Sequence, residues 1–517
     1  MLDVAMIDTD RRLFAFDNTY VQALPELVAE WSAADVPEPE LVVLNTELAA
    51  TLTDHPGRLS EPAGVAVLAG NEVPDGAAPV AMVYAGHQFG HYSPRLGDGR
   101  ALLLGEIIDA TGQRVDLHLK GSGRTPFARG GDGKATIGPM LREYLIAEAM
   151  HGLTIPTSRA LAVVTTGEPI MRQRPEPGAV LTRVANSHLR VGTFEYAVRL
   201  EDGTVLRRLA DYAIERHFPH LNRQGDAGHL NESEGRYLAL LGEVVEVQAS
   251  LVARWMLVGF IHGVMNTDNM TISGDTIDYG PCAFMDRYHS ATVYSSIDHQ
   301  GRYAYGNQPA IAQWNLTRLA ETLLPLMADE AGVEPESMVP AATEILEGFT
   351  ERLRANWAEG MRMKLGLANE SDTDSQLFSG LLELLQTERL DYTSFFRRLA
   401  RSLQTEGAPG DDDGLISLVE HQDRLESWLS SWRSRLEGEG RALADVAEQM
   451  DAVNPVYVPR NHLVEEALSA AQNGDLEPFD QLLAVVTDPF TERPGLERYA
   501  QPAPDEFNRG FQTFCGT

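Results

Sequence analysis

The sequence predicts an α+β protein with two lobes, a sheet-rich N-terminal lobe and a helical C-terminal lobe. Between residues 80 and 184, apolar runs and alternating patterns indicate strands, and residues 101–108 and 115–120 are the clearest of them. From about residue 205 the apolar spacing becomes helical, as in residues 232–262 and 341–365. A chain of 517 residues is long for one domain, which agrees with more than one core.

We divide the chain where this pattern changes. The predicted parts are an N-terminal extension, an N-lobe, a helical C-lobe and a C-terminal segment, at residues 1–75, 76–204, 205–450 and 451–517. Three finer predictions concern helices. A helix is expected over residues 19–31, another over residues 415–436, and Pro325 is expected to end the helix that covers residues 316–324.

The composition is acidic and limits the partners. The 42 basic and 75 acidic residues give a net charge of 42 − 75 = −33, and a surface of that sign repels nucleic acid and anionic lipid. No apolar run reaches the length of about 18 residues that a membrane helix needs, and the acidic N-terminus is unlike a signal peptide. We therefore expect a cytoplasmic protein. The oligomeric state is not readable from the sequence, and a monomer is the simplest assumption.

The most informative segment is His-Gly-Val-Met-Asn-Thr-Asp-Asn, from His262 to Asn269, followed by Asp278-Tyr279-Gly280. A protein kinase catalytic loop has the pattern H-R-D-L-x-x-x-N, and a metal-binding D-F-G follows it. Asn269 and Asp278 have the oxygen ligands that Mg²⁺ takes beside phosphates. Val264, however, stands where a kinase has its catalytic Asp. The motif indicates ATP binding of the kinase type put to a different chemistry.

Asp268 is the nearest candidate for a proton acceptor, because Val264 cannot accept a proton. The alternative for Asp268 is a loop carboxylate that only supports the metal. His262 is interpreted as a structural residue of the loop.

Other kinase elements precede this motif in the kinase order. Gly97-Asp98-Gly99 is a turn that could approach phosphate, or an ordinary hairpin turn. Lys120 ends a strand about 20 residues later, and Glu143 lies on the next predicted helix, as the kinase strand Lys and its partner Glu do. Either residue alone would more often be a surface charge. The order of all the elements favours a protein-kinase-like fold.

Arg183 and Arg190 lie close together in a segment of this acidic chain. A guanidinium recognises phosphate through two parallel hydrogen bonds, so the pair could bind a polyphosphate. Surface ion pairs are the alternative, and without the other motifs they would be the preferred interpretation.

Five strings together closely resemble the selenoprotein O family, a pseudokinase-like group of protein adenylyltransferases. They are Gly86-His87-Gln88-Phe89-Gly90, Leu96-Gly97-Asp98-Gly99-Arg100, Lys120-Gly121-Ser122-Gly123-Arg124-Thr125-Pro126, Thr182-Arg183-Val184-Ala185 and the segment His262 to Asn269. The resemblance runs from about residue 84 to residue 286 and resumes near residues 454–461. Lys134, where Arg is expected, and Gly138-Pro139 depart from the family pattern.

The resemblance implies a kinase-like fold that binds ATP in the inverted orientation, with Mg²⁺ or Mn²⁺. AMP would pass to a Ser, Thr or Tyr hydroxyl of a protein, and pyrophosphate would leave. It also implies the site residues. Asp268 would be the proton acceptor, Glu143 would position Lys120, and Asn269 and Asp278 would bind the metal. ATP would be bound by Gly97, Gly99, Arg100, Lys120, Asp132, Gly133, Arg183, Arg190 and Asp278.

The chain has two cysteines, Cys282 and Cys515. Two cysteines fit a reducing compartment, and their plainest interpretation is a core residue and a tail residue. Family resemblance implies redox control through a bridge between the C-terminal tail and the activation segment, in which Cys515 would pair with Cys282.

Two other functions remain open at the level of sequence. A phosphotransferase with Asp268 as base is one, and Val264 argues against it. A non-catalytic nucleotide-binding redox sensor is the other, and the presence of both Asn269 and Asp278 argues against it.

Overall fold

The computed structural model describes residues 12–222, 235–404 and 413–514. Its main feature is an eight-stranded antiparallel sheet in the N-terminal half. Seven strands follow one another across this sheet in the order Val28–Glu30, Val80–Met82, Ala101–Ile108, Arg114–Lys120, Pro175–Ala185, Arg159–Met171 and Glu40–Leu44, and the short strand Ala135–Thr136 pairs with Pro175–Ala185. The centre of the sheet is built from the apolar runs that the sequence predicts as strands.

Two small strand pairs lie outside this sheet. The hairpin Gly86–Gln88 with His91–Ser93 is one, and Phe260–Ile261 with Ala283–Phe284 is the other. The second pair joins the two ends of the segment that contains His262 and Asp278, so it closes this segment into a loop.

Helices dominate the rest of the chain. The α-helices of the N-terminal half are Thr19–Ala23, Thr46–Leu52, Pro62–Ala69, Ile137–Gly152, Val191–Ala197, Gly203–His217 and Arg236–Val258. Those that follow are Gln308–Ala331, Val339–Lys364, Asp374–Thr387, Tyr392–Arg401, Asp413–Ile416, Gln422–Glu437, Leu443–Val453, Asn461–Gln472, Glu477–Val486, Glu497–Ala500 and Asp505–Asn508. Short 3₁₀ turns occupy Pro25–Leu27, Pro56–Ser60, Pro219–Asn222, Thr267–Asn269, Tyr305–Asn307 and Pro335–Met338. This mixture of helix and antiparallel sheet confirms the predicted α+β class and fits the kinase-like plan.

The helix Ile137–Gly152 connects the sheet to the C-terminal part of the chain. It packs against the long strands Arg159–Met171 and Pro175–Ala185, and its other neighbours include Asn461–Gln472. Thirteen of its residues are buried, among them Glu143. Burial on several faces explains why its sequence lacks a clear amphipathic stripe.

Two of the helix predictions are wrong in their bounds. The helix from Thr19 ends at Ala23, because Pro25 follows and Val28–Glu30 pairs with Val80–Met82. The stretch 415–436 is divided, and its main helix begins only at Gln422.

Pro325 does not end its helix but lies inside Gln308–Ala331. An internal proline costs about 3 kcal/mol. The helix continues past it because Leu326 and Met327 are buried in the core. Within the described ranges, no helix is long and apolar enough to cross a membrane.

Lys364, at the end of the helix Val339–Lys364, is a buried amine with an uncharged partner. Its Nζ donates to Asn454 Oδ1 at 2.7 Å and lies 3.9 Å from the centre of the Phe396 ring. Burial lowers the pKa of Lys364 from 10.5 to about 7. Between these values the unfolded chain binds a proton that the folded protein has released, so the free energy of unfolding rises with pH.

We expect Lys364→Met to remove this pH dependence. The wild type should gain up to about 1.4 kcal/mol per pH unit between pH 7 and pH 9 relative to the variant, measured by urea unfolding at each pH. Lys134→Met, which removes a half-buried lysine paired with Glu168, should leave the pH dependence as in the wild type. Parallel curves for wild type and Lys364→Met would mean that Lys364 stays protonated in the fold.

Candidate active site

A cleft of about 1160 Å³ is lined by residues of the sheet and of the loop that follows the helix Arg236–Val258. All twelve residues predicted for the nucleotide and metal site line this cleft: Gly97, Gly99, Arg100, Lys120, Asp132, Gly133, Glu143, Arg183, Arg190, Asp268, Asn269 and Asp278. Cys282 is a buried core residue, and Cys515 lies outside the described residues, so the predicted pairing stays a prediction.

Lys120 joins the sheet, the helix and the loop. It lies at the end of the strand Arg114–Lys120, and its Nζ donates to Glu143 Oε2 at 2.6 Å and to Asp278 Oδ1 at 2.8 Å. Glu143 is 3% exposed, so this carboxylate is not the solvated helix residue of the alternative interpretation. The predicted pairing of Lys120 with Glu143 is present in the structure.

Arg183 and Arg190 converge on the same carboxylate from the other side. One guanidinium nitrogen of Arg183 lies 2.7 Å from Asp278 Oδ1 and 3.1 Å from Glu143 Oε1. Arg190 lies 3.1 Å from Asp278 Oδ2. Both arginines are buried, at 2% and 3% exposure, which excludes the surface ion pairs that the sequence left open. We call Lys120, Arg183 and Arg190 the cationic cluster.

The cationic cluster controls the charge of Asp278. Burial by itself would raise the pKa of this carboxyl, but Lys120, Arg183 and Arg190 together hold it well below its usual range. Asp278 is therefore ionised at any working pH. Its backbone has φ +60°, a conformation that Asp and Asn adopt more readily than most residues. A cluster of buried cations that lines a cleft is suited to bind phosphate groups.

The turn Gly97-Asp98-Gly99 lies close to Phe127. Gly97 has φ +138°, and a Cβ at this position would lie 2.5 Å from the Phe127 ring and 2.8 Å from the Met82 carbonyl oxygen. A Cβ at Gly99 would lie 2.9 Å from the Phe127 carbonyl oxygen. These contacts, rather than the sequence alone, require glycine at the turn.

Gly97→Ala should destabilise the protein by at least about 2 kcal/mol more than Gly112→Ala. Both glycines have positive φ, but nothing lies within 4 Å of a Cβ at Gly112, so the difference between the variants isolates the close approach. Urea unfolding of the two variants measures it. Equal losses of stability in the two variants would mean that Phe127 moves aside at little cost in free energy.

The catalytic-loop residues lie on a 3₁₀ turn, Thr267–Asn269. Asp268 is 8% exposed, and its Oδ2 accepts a hydrogen bond from Gln88 Nε2 at 3.2 Å. Burial raises the pKa of Asp268 to about 6, which is a suitable value for a group that accepts a proton near neutral pH. His262 is buried, and its Nε2 donates to the Ile277 carbonyl oxygen at 2.9 Å, in agreement with a structural role.

Asn269 and Asp278 fit a divalent cation bound beside phosphates. The amide nitrogen of Asn269 donates to the Val264 carbonyl at 2.9 Å, so the amide oxygen is the atom that could ligate. In the part of the chain that the structure describes, no group of three or more His, Cys, Asp or Glu side chains could hold a metal ion. Mg²⁺ commonly takes one or two protein ligands and completes its shell with phosphates and water. The donor set fits this mode.

Arg172 contacts one of the predicted loop residues. Its guanidinium pairs with Asp132 at 2.7 Å, and the hydrogen bond from Arg172 lowers the pKa of Asp132. Gly133, next in sequence, has φ +71°. Arg172 was not found from the sequence, because 40 residues separate it from Asp132 and neither position suggests the other.

Three further residues beside the predicted set were also missed. Gln88 bonds Asp268, Tyr84 lies under the Arg190 guanidinium at 4.6 Å from the ring centre, and Asp98 lies 3.9 Å from Arg190. Gln88 and Asp98 belong to the strings that carry the family resemblance. These strings could have found them, although spacing gives neither residue a role.

The fold and this cleft define a protein of the kinase-like class whose cleft is lined by a cluster of buried cations. Comparison with known proteins identifies the family. The profile of the family described as "Protein adenylyltransferase SelO" matches residues 12–487. The chain therefore belongs to the SelO family, as its motifs predict.

Curated relatives agree with this assignment. "Protein nucleotidyltransferase YdiU" of Cereibacter sphaeroides (strain ATCC 17025 / ATH 2.4.3) is 55% identical over 505 residues, which cover 98% of this chain and 100% of the relative. The protein of the same name from Mycolicibacterium paratuberculosis is 55% identical, over 97% of this chain and 98% of the relative. The one from Rhodococcus jostii is 54% identical, over 99% of this chain and 96% of the relative. The predicted enzyme class, a nucleotidyltransferase, is confirmed.

Proposed function

We propose that this protein transfers AMP from ATP to Ser, Thr or Tyr hydroxyls of other proteins, with release of pyrophosphate. The observation that carries the proposal is the combination of a buried cationic cluster with the absence of a kinase base. Lys120, Arg183 and Arg190 surround Asp278 in the cleft, and apolar Val264 occupies the position of the kinase Asp. Membership of the SelO family supports nucleotidyl transfer to proteins.

The position of the cations favours an inverted nucleotide. Arg183 and Arg190 would bind the two outer phosphates in the buried end, because a guanidinium matches phosphate with parallel hydrogen bonds. The α-phosphate would then face the mouth of the cleft. Gly97, Gly99, Arg100, Asp132 and Gly133 would contact the rest of the nucleotide.

Chemistry would require one proton transfer and one displacement. The acceptor oxygen forms a bond to the α-phosphorus, and the bond from that phosphorus to the bridging oxygen of pyrophosphate breaks. Asp268 takes the proton of the acceptor hydroxyl, for which its raised pKa suits it. Lys120, held by Glu143, and the two arginines stabilise the charge of the departing pyrophosphate.

Asn269 and Asp278 would hold the divalent cation, Mg²⁺ or Mn²⁺, which would neutralise phosphate charge when bound. The remaining steps depend on positioning by residues of the chain.

Labelled ATP tests the proposal directly. Purified protein with Mg²⁺ or Mn²⁺ is incubated with a cell lysate and ATP labelled at either the α- or the γ-phosphate, and labelled proteins are followed on a gel. We expect label from the α-position only, and its loss in Asp278→Asn. Transfer of the γ-label would instead identify a phosphotransferase and would refute the inverted nucleotide.

A further inference from the structure

We propose that His118 is a positioning residue that holds Arg183 in place through a hydrogen bond to its Nδ1 atom. This inference rests on the proposed binding of ATP phosphates by Arg183. His118 is fully buried and touches neither the cleft nor the metal-binding candidates. Its effect on the site would pass entirely through the arginine.

The sheet register brings the two side chains together. His118 and Arg183 are direct cross-strand partners on the strands Arg114–Lys120 and Pro175–Ala185. His118 also lies two residues before Lys120, so both side chains point to the same face of the sheet. The imidazole Nδ1 lies 3.2 Å from a guanidinium nitrogen of Arg183. Arg183 is thereby attached to the strand that also carries Lys120.

The hydrogen bonds define one tautomer of the ring. A guanidinium only donates, so Nδ1 of His118 must accept. The hydrogen is then on Nε2, which donates to Asp98 Oδ2 at 3.1 Å. Burial lowers the pKa of His118 even though Asp98 opposes this effect, which agrees with a neutral ring. Both ring nitrogens are satisfied in this arrangement and in no other.

Asp98 connects this ring to the glycine turn and to the second arginine. Its Oδ2 also accepts a hydrogen bond from the Met82 backbone at 3.1 Å, and its backbone carbonyl accepts one from Thr125 at 2.6 Å. Its Oδ1 lies 3.9 Å from Arg190. Because Met82 and Thr125 also hold Asp98, the turn keeps these two contacts when the His118 donor is lost.

A second histidine, His188, stacks on the His118 ring and offers a matched control. His188 stacks on His118 with ring centres 4.2 Å apart and an angle of 21°. It is equally buried, but it bonds Asp116 at 2.9 Å, and that carboxylate pairs with Arg216. A substitution of His188 disturbs the same packed region and leaves the Arg183 hydrogen bond in place.

Two isosteric substitutions separate the two ring nitrogens. In His118→Asn the amide oxygen can replace Nδ1 as the acceptor for Arg183, and the Nε2 donor is lost. In His118→Gln the amide nitrogen can replace Nε2 as the donor to Asp98, and the Nδ1 acceptor is lost. The affinity for a non-hydrolysable ATP analogue is measured by calorimetry for both variants and for His188→Asn, and thermal unfolding verifies that each is folded.

We expect His118→Gln to weaken binding of the analogue by about 10-fold or more, the usual cost of losing a hydrogen bond to a charged group. His118→Asn and His188→Asn should stay within about 3-fold of the wild type. Equal effects of the two His118 variants, or none, would overturn the inference. A folded His118→Asn variant that binds the analogue 10-fold more weakly than the wild type would overturn the inference by itself, even if His118→Gln does not fold.

Binding of the analogue does not depend on which phosphate is transferred. The inference therefore fails separately from the proposed function, which fails when the wild type transfers no label from the α-position.

Discussion

Replacing Asp278 by asparagine is expected to reduce AMP transfer by about 1000-fold or more. The change keeps the shape of the side chain and is compatible with φ +60°, but it removes the charge that faces Lys120, Arg183 and Arg190. It also removes a carboxylate that would hold the divalent cation, and loss of such electrostatic stabilisation is among the largest effects in catalysis. The rate of α-label transfer at saturating ATP measures it.

The control for this variant is Asp275→Asn. Asp275 is a buried carboxylate three residues away that bonds the amide of Asn186 at 3.0 Å. The same chemical change at this position should leave transfer within a few-fold of the wild type. If both variants lose activity equally, the effect comes from the fold of the loop, and the assignment of Asp278 to the phosphate site is wrong.

Replacing Asp268 by asparagine is expected to lower the rate of transfer by about 100-fold to 10,000-fold, the range usual for a general base. The affinity for the ATP analogue should stay close to that of the wild type, because Asp268 contacts Gln88 and not the cationic cluster through its side chain. Asparagine can still accept the hydrogen bond from Gln88. Transfer rate and analogue affinity are therefore measured on the same sample.

The two variants differ in a way that distinguishes the roles of the two carboxylates. Asp278→Asn should alter nucleotide and metal binding together with the rate, whereas Asp268→Asn should alter the rate alone. An Asp268→Asn variant that keeps its rate but needs more divalent cation would show that Asp268 only supports the metal, which is the alternative interpretation of its sequence. An unchanged rate and cation requirement would remove Asp268 from the site.

The sequence by itself determined the class of the fold and predicted twelve of the residues that line the cleft. Alternating and apolar runs mark the central strands, since the period of two follows from strand geometry. The order of Gly97, Lys120, Glu143, Asn269 and Asp278 indicates the kinase-like site because these residue types approach phosphate, bind metal or position the lysine in kinases. All the predicted nucleotide and metal residues line one cleft.

The local sequence pattern predicted the wrong secondary structure where packing against distant residues outweighs the local helix or strand propensity. Pro325 lies inside a helix because buried residues follow it. Residues 28–30 form a strand, and not a helix, because Val80–Met82 offers an open edge for pairing. A stretch of sequence does not contain the partner that decides its structure.

Only the tertiary structure decided how the charges are arranged. Arg183 could equally have been a surface residue by its sequence, but the register of two strands places it beside His118 and directs it to Asp278. The sequence alone gives no sign that the carboxyl of Asp268 is unusual, but burial in the fold raises its pKa. Burial and the distances between charges determine both properties, and they arise from contacts between segments that lie far apart in the chain.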